Sequence, residues 1–125
     1  MNHFLIVAAG GALGAGLRHL AGLAAMRLMG TGFPWGTLTV NLVGSLIMGA
    51  FVEWLARRVG TSPELRLFLA TGLLGGFTTF SAFSLDVVAL WERGDGALAA
   101  GYVLVSVCGA IAALFAGLWL VKHFA

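Results

Sequence analysis

The sequence predicts an all-α integral membrane protein of four transmembrane helices forming a single transmembrane domain, residues 1–125. Mean hydropathy is +1.00, with 60% hydrophobic and only 10% charged residues, which lies far outside the range of soluble domains. The apolar layer of a bilayer is about 30 Å thick and takes roughly 20 helical residues to cross, so a chain of 125 residues has room for four spans, short loops and no second domain. The third observation is the run Gly75-Gly76-Phe77-Thr78-Thr79-Phe80-Ser81-Ala82-Phe83, which sets glycines, hydroxyls and rings in the middle of an apolar stretch. Irregular helix at that depth survives only where it lines a cavity or binds an ion, so a break in the third helix is expected there, at the working part of the protein.

The first span is expected over residues 4–29. It begins without a basic amino-terminal region and no polar mature domain follows it, so it reads as a span rather than a secretory signal. Gly10, Gly14 and Arg18 follow one another at four-residue steps and share a helical face. Small residues at that spacing point to close helix packing, whereas Arg18 either snorkels to the interface or faces an aqueous vestibule. Gly30, Gly32 and Pro34 then mark a turn.

The second span, 36–55, carries a polar stripe of Thr37, Asn41 and Ser45. Serine and threonine can bond back to their own helix, but an asparagine amide in hydrocarbon must find a partner, so Asn41 faces a helix or a pore. After the polar loop, Ser62 is suited to cap the third span and Pro63 to open it. That span, 64–91, holds Phe77, Phe80 and Phe83 at three-residue steps, an aromatic stripe interleaved with Thr78, Thr79 and Ser81 beside a Gly-Gly pair able to open the backbone. Ring edges attract a small anion, while freed carbonyls could instead hold a cation.

The fourth span, 97–121, offers Tyr102 and Ser106 on one face; Tyr102 suits either that face or an interfacial belt. Cys108, the single cysteine, has no disulfide partner within the chain and is expected to be a small packing residue. His3, His19 and His123 lie toward span ends and are expected to be solvated or interfacial.

Four spans put Arg57, Arg58, Arg66 and Lys122 on one side of the membrane and Arg18, Arg27 and Arg93 on the other. So even a division gives almost no orientation bias. Either other features decide the orientation, or copies insert both ways and pair as an antiparallel homodimer. The few basic residues form no cluster on one face, so no nucleic-acid partner is expected. The candidate lining consists of an amide, hydroxyls, ring edges and a nearby arginine, with no carboxylate well inside a span, and this favours an anion.

The same residues carry a family likeness. Gly10-Gly11-Ala12-Leu13-Gly14-Ala15 with Arg18, Trp35-Gly36-Thr37-Leu38-Thr39-Val40-Asn41 with Gly44-Ser45, and Gly75-Gly76-Phe77-Thr78-Thr79-Phe80-Ser81 with Phe83 resemble the CrcB family of bacterial fluoride channels, also called Fluc. The resemblance implies a dual-topology antiparallel homodimer with two pores in the cytoplasmic membrane, exporting fluoride passively and relieving its toxicity. It implies pore phenylalanines at Phe80 and Phe83, a pore-facing Asn41, and a polar track through Tyr102 and Ser106. It also implies a structural sodium ion on the dimer axis, held by main-chain carbonyls of Gly75 and Thr78 from each chain. Ala82 and Ala110 stand where threonine and serine are common in the family. Thr79 and Ser81 complete the expected fluoride lining, with Arg18 in the vestibule.

The residues bear on two other classes of protein. A small multidrug transporter has the same size and charge balance but depends on an acidic residue in its first span, where this chain has Arg18 and no carboxylate. A non-transporting scaffold would explain the glycine faces and leave the polar stripes without purpose. An enzyme is not expected, because no carboxylate, histidine or cysteine constellation converges within the spans.

Overall fold

The computed structural model describes residues 2–58, 60 and 62–124. Helix α1 (His3–Met29) starts where Asn2 accepts a hydrogen bond from the Phe4 N–H at 2.8 Å and stops at Gly30, whose φ of 78° suits glycine. Helix α2 (Trp35–Ala56) follows the turn at Pro34. The third span begins with a short helix α3 (Pro63–Arg66), capped by Ser62 Oγ, which accepts from the Leu65 N–H at 3.1 Å. It continues as a π-helical stretch (Leu67–Leu74) and a last turn α4 (Gly75–Phe77). Thr78 and Thr79 are then extended, with φ/ψ of −88°/157° and −153°/125°. Helix α5 (Phe80–Glu92) resumes under the cap of Thr79, and helix α6 (Gly96–Phe124) follows a tight loop.

Among the described residues, four helical runs are long and apolar enough to cross a membrane: His3–Met29, Trp35–Ala56, Pro63–Glu92 and Gly96–Phe124. Their outward faces carry large apolar side chains, such as Leu13, Leu17 and Leu20 on α1 and Leu104, Ile111 and Phe115 on α6, which in water would form a prohibitive patch and in hydrocarbon cost nothing. Cys108, expected as a packing residue, is exposed on this outer surface of the single chain.

Glycines set how closely the spans approach. A Cβ at Gly10 would run into the Phe68 carbonyl, and one at Gly14 into the Leu73 carbonyl and the Phe77 nitrogen. The four-residue step along α1 thus tracks the first half of the third span. In the other half of the bundle, Gly49 meets the Leu114 carbonyl, and Gly117 meets that of Leu46, bringing α2 and α6 into backbone contact. Such contact is favoured in membranes, where association depends on packing rather than on exclusion of water.

Two expectations about the third span need correction. Gly75 and Gly76 do not open the backbone: both lie in the helical turn α4, and Gly76 is there because a Cβ would strike the backbone of Gly11. The extended residues are the two threonines that follow. Because of them Phe77 leaves the stripe of Phe80 and Phe83; its ring lies instead against Gly44 on α2.

Candidate functional site

In an unbroken α-helix the Thr79 N–H would go to the Gly75 carbonyl, the Phe80 N–H to that of Gly76 and the Ala82 N–H to that of Thr78. Side chains intervene at all three positions. Asn41 Oδ1 accepts from the Thr79 N–H at 2.8 Å, and Asn41 Nδ2 donates back to the Thr79 carbonyl at 3.0 Å. Thr79 Oγ1 accepts from the Ala82 N–H at 3.1 Å. Arg18 Nε donates to the Gly76 carbonyl at 3.1 Å. Asn41 of α2 therefore holds the extended pair at Thr79, and Arg18 of α1 holds the turn just before it at Gly76. A polar main chain in hydrocarbon without these partners would cost several kcal/mol per group.

Beside this pair lies a cavity of about 310 Å³ lined by Asn41, Ser45, Thr78, Thr79, Phe80, Phe83, Ser106, Val107, Ala110 and Ile111. Residues from three spans meet there. Phe80 and Phe83 have ring centroids 5.4 Å apart and differ in burial, Phe80 being 75% exposed and Phe83 7%. Ser106 is buried, and its hydroxyl makes no hydrogen bond of acceptable geometry among the described residues, although the Tyr102 phenol lies close by. An unpaired hydroxyl on the wall of a cavity is a group ready for a ligand. Ala110 contributes only a methyl group to this wall.

A second cavity, of about 300 Å³, opens toward the loop between α1 and α2 and is lined among others by Phe33, Thr37, Asp86 and Arg93. Tyr102 lines neither cavity. It is 1% exposed, which removes it from any interfacial belt, and its ring touches Phe33 at 5.3 Å and Phe83 at 5.2 Å. The rings of Phe33, Tyr102 and Phe83 thus stand between the two spaces. The Tyr102 hydroxyl donates to Asp86 Oδ2 at 3.0 Å.

Of the expected site residues, Asn41, Thr78, Thr79, Phe80, Phe83 and Ser106 come together on the first cavity. Ser81 is exposed, with its hydroxyl 3.2 Å from that of Thr79. Arg18 and Gly75 line neither space. Sequence reasoning passed over Asp86 and Phe33. Asp86 lies one helical turn beyond Phe83, and that spacing was the available signal; Phe33 sits in a turn and gives none. Among the described residues no three His, Cys, Asp or Glu side chains converge on a metal.

Four apolar spans enclosing a seam of amide, hydroxyl and ring groups define a small multi-pass membrane protein with its polar chemistry turned inward. Residues 5–118 match the family described as CrcB-like protein, Camphor Resistance (CrcB), and the chain belongs to that family. Among its relatives, the fluoride-specific ion channel FluC of Chelativorans sp. (strain BNC1) is 62% identical over 122 residues, covering 98% of each chain. The proteins of the same name from Mesorhizobium japonicum and Agrobacterium fabrum are 59% and 58% identical, again over 98% of each chain.

Proposed function

We propose that this chain is a fluoride-selective channel that lets fluoride leave the cytoplasm passively across the bacterial inner membrane and so relieves fluoride toxicity. The observation that carries it is the cavity where Asn41, Thr79, Ser106 and the Phe80 and Phe83 rings converge, in a chain 62% identical to a protein named for fluoride conduction. A small, strongly hydrated anion needs several modest contacts that can both fill and empty. The free Ser106 hydroxyl, the Asn41 N–H not committed to Thr79 and the ring edges supply contacts of that kind. Tyr102, in contact with Phe83, continues the polar track beyond Ser106, while the Ser81 hydroxyl lies beside that of Thr79 and Arg18 adds a fixed positive charge near the seam. No bond is made or broken, so the role is conduction rather than catalysis.

The working unit in this reading is an antiparallel homodimer of dual topology. Supporting it is the weak orientation bias of the basic residues, Arg57, Arg58, Arg66 and Lys122 toward one membrane face and Arg27 and Arg93 toward the other, Arg18 being taken into the span by the Gly76 carbonyl. A structural sodium ion between the chains belongs to the same reading. The fit rests on the rerouted hydrogen bonds: Gly75 and Thr78 are the residues whose helical donors have gone to Asn41 and to Thr79 Oγ1, leaving oxygen ligands suited to a hard cation. Gly75 is also exposed in the single chain, where a second copy can approach. When bound, the ion would supply a charge that draws four carbonyls of two chains together.

The decisive experiment is purified protein in liposomes loaded with fluoride or chloride. Rapid electrogenic fluoride efflux with chloride retained is expected; vesicles that stay sealed to fluoride would end the proposal.

A further inference from the structure

Asn41 lies on the wall of the first cavity, yet its amide is spent largely on the main chain of Thr79, 38 residues away. Its Oδ1 holds the Thr79 N–H that a continuous helix would send to Gly75. We infer that Asn41 is a positioning residue for the cation site as well as a wall of the anion passage, so that one amide couples the two ion sites. This inference rests on the channel reading and on the sodium assignment above.

The coupling has a direction that follows from the geometry. An anion held by the second Asn41 N–H keeps the amide in place on Thr79, so that the Thr79 N–H stays away from the Gly75 carbonyl and that oxygen remains open to a cation. If a cation holds the Gly75 and Thr78 carbonyls, the Thr79 N–H has no competing acceptor and Asn41 stays fixed, with its second N–H presented to the cavity. Linkage requires each site to alter the affinity of the other by the same factor. Thr79 lies at the junction, since its N–H and carbonyl face Asn41 while its hydroxyl caps α5 and takes the Ala82 N–H away from Thr78.

The substitutions Asn41→Ala and Asn41→Asp separate the two roles. Alanine leaves the Thr79 N–H without its acceptor. Aspartate in its protonated form keeps an oxygen in the place of Oδ1 and an O–H donor in the place of Nδ2, so it holds both the N–H and the carbonyl of Thr79, but it has no second N–H to present to the anion cavity. The test is thermal unfolding of the purified full-length protein titrated with sodium chloride against an organic-cation chloride, alongside fluoride efflux from liposomes. Wild type is expected to gain stability with sodium, and Asn41→Ala to need about ten-fold more sodium for the same gain. Asn41→Asp is expected to keep a sodium response at least as strong as wild type while its fluoride efflux falls by about ten-fold or more. The inference is overturned if Asn41→Ala titrates with sodium as wild type does, or if Asn41→Asp loses the sodium response. Should the alanine variant fail to fold, the aspartate variant decides alone. A wild-type protein that conducts fluoride without responding to sodium also overturns it, whereas one that conducts no fluoride overturns the channel reading itself.

Discussion

Arg18 Nε donates to the carbonyl of Gly76 at 3.1 Å, fifteen residues after the start of a helix that runs from His3 to Met29. A guanidinium there is near the middle of the span. It avoids the cost of bare charge in hydrocarbon by taking a carbonyl at the C-terminal end of α4, where the helix dipole favours a cation.

Replacing Arg18 by methionine, which keeps the side chain only as far as the position of Nε and removes donor and charge, therefore leaves the Gly76 carbonyl bare. The expected loss is about 1–3 kcal/mol, read as a fall in the unfolding midpoint of the purified protein. A midpoint unchanged from wild type would show that water serves the carbonyl as well as Arg18 does.

Phe80 and Phe83 should separate in stability while agreeing in function. Changing Phe80 to isoleucine alters an exposed ring and should shift stability by less than about 0.5 kcal/mol. The same change at the buried Phe83 loses contacts with Phe80 and Tyr102 and should cost about 1–3 kcal/mol. Either substitution should sharply slow or abolish fluoride efflux from liposomes; full flux from either would remove the ring edges from the account.

Ser106→Ala offers the opposite combination. Its buried hydroxyl lacks a well-formed hydrogen bond, so its removal should leave stability unchanged or slightly raised, while fluoride efflux slows if that hydroxyl serves the anion. Parallel melting and efflux measurements decide it, and a variant as fast as wild type would take Ser106 off the path.

The glycine-to-alanine series along α1 should split by position. Gly14→Ala drives a methyl into the Leu73 carbonyl and should cost about 2 kcal/mol or more, whereas Gly16→Ala meets open space and should be neutral or stabilise by up to about 1 kcal/mol. Equal behaviour of the two variants in thermal melts would refute the close approach of α1 to the third span.

How far the molecule could be read from its sequence depended on whether a signal was local. The four spans were legible because apolar runs of about 20 residues leave few alternatives, and Ser62-Pro63 announced the start of the third. Asn41 stood out as an amide in hydrocarbon, but nothing local says that its partner is the main chain of Thr79. The π-helical stretch Leu67–Leu74 was invisible, since a segment apolar but for Thr71 has no periodicity to betray a widened turn. The Gly75-Gly76 pair misled for a related reason: glycine serves loose backbone and tight packing alike, and only the position of Gly11 shows that packing wins here. Asp86 was passed over because a carboxylate near a span end reads as solvated until Tyr102 is found donating to it.

The stack of Phe33, Tyr102 and Phe83 between the two cavities bears on what else could slip through. Protons migrate along unbroken chains of water, and the contacting rings of Phe33, Tyr102 and Phe83 set apolar surface where such a chain would have to run. A bacterium stores its working energy as a proton gradient, so an always-open hole in its envelope is tolerable only if that current cannot follow the halide. In this molecule such insulation would be made of carbon, in the rings that link the wall of one cavity to the wall of the other.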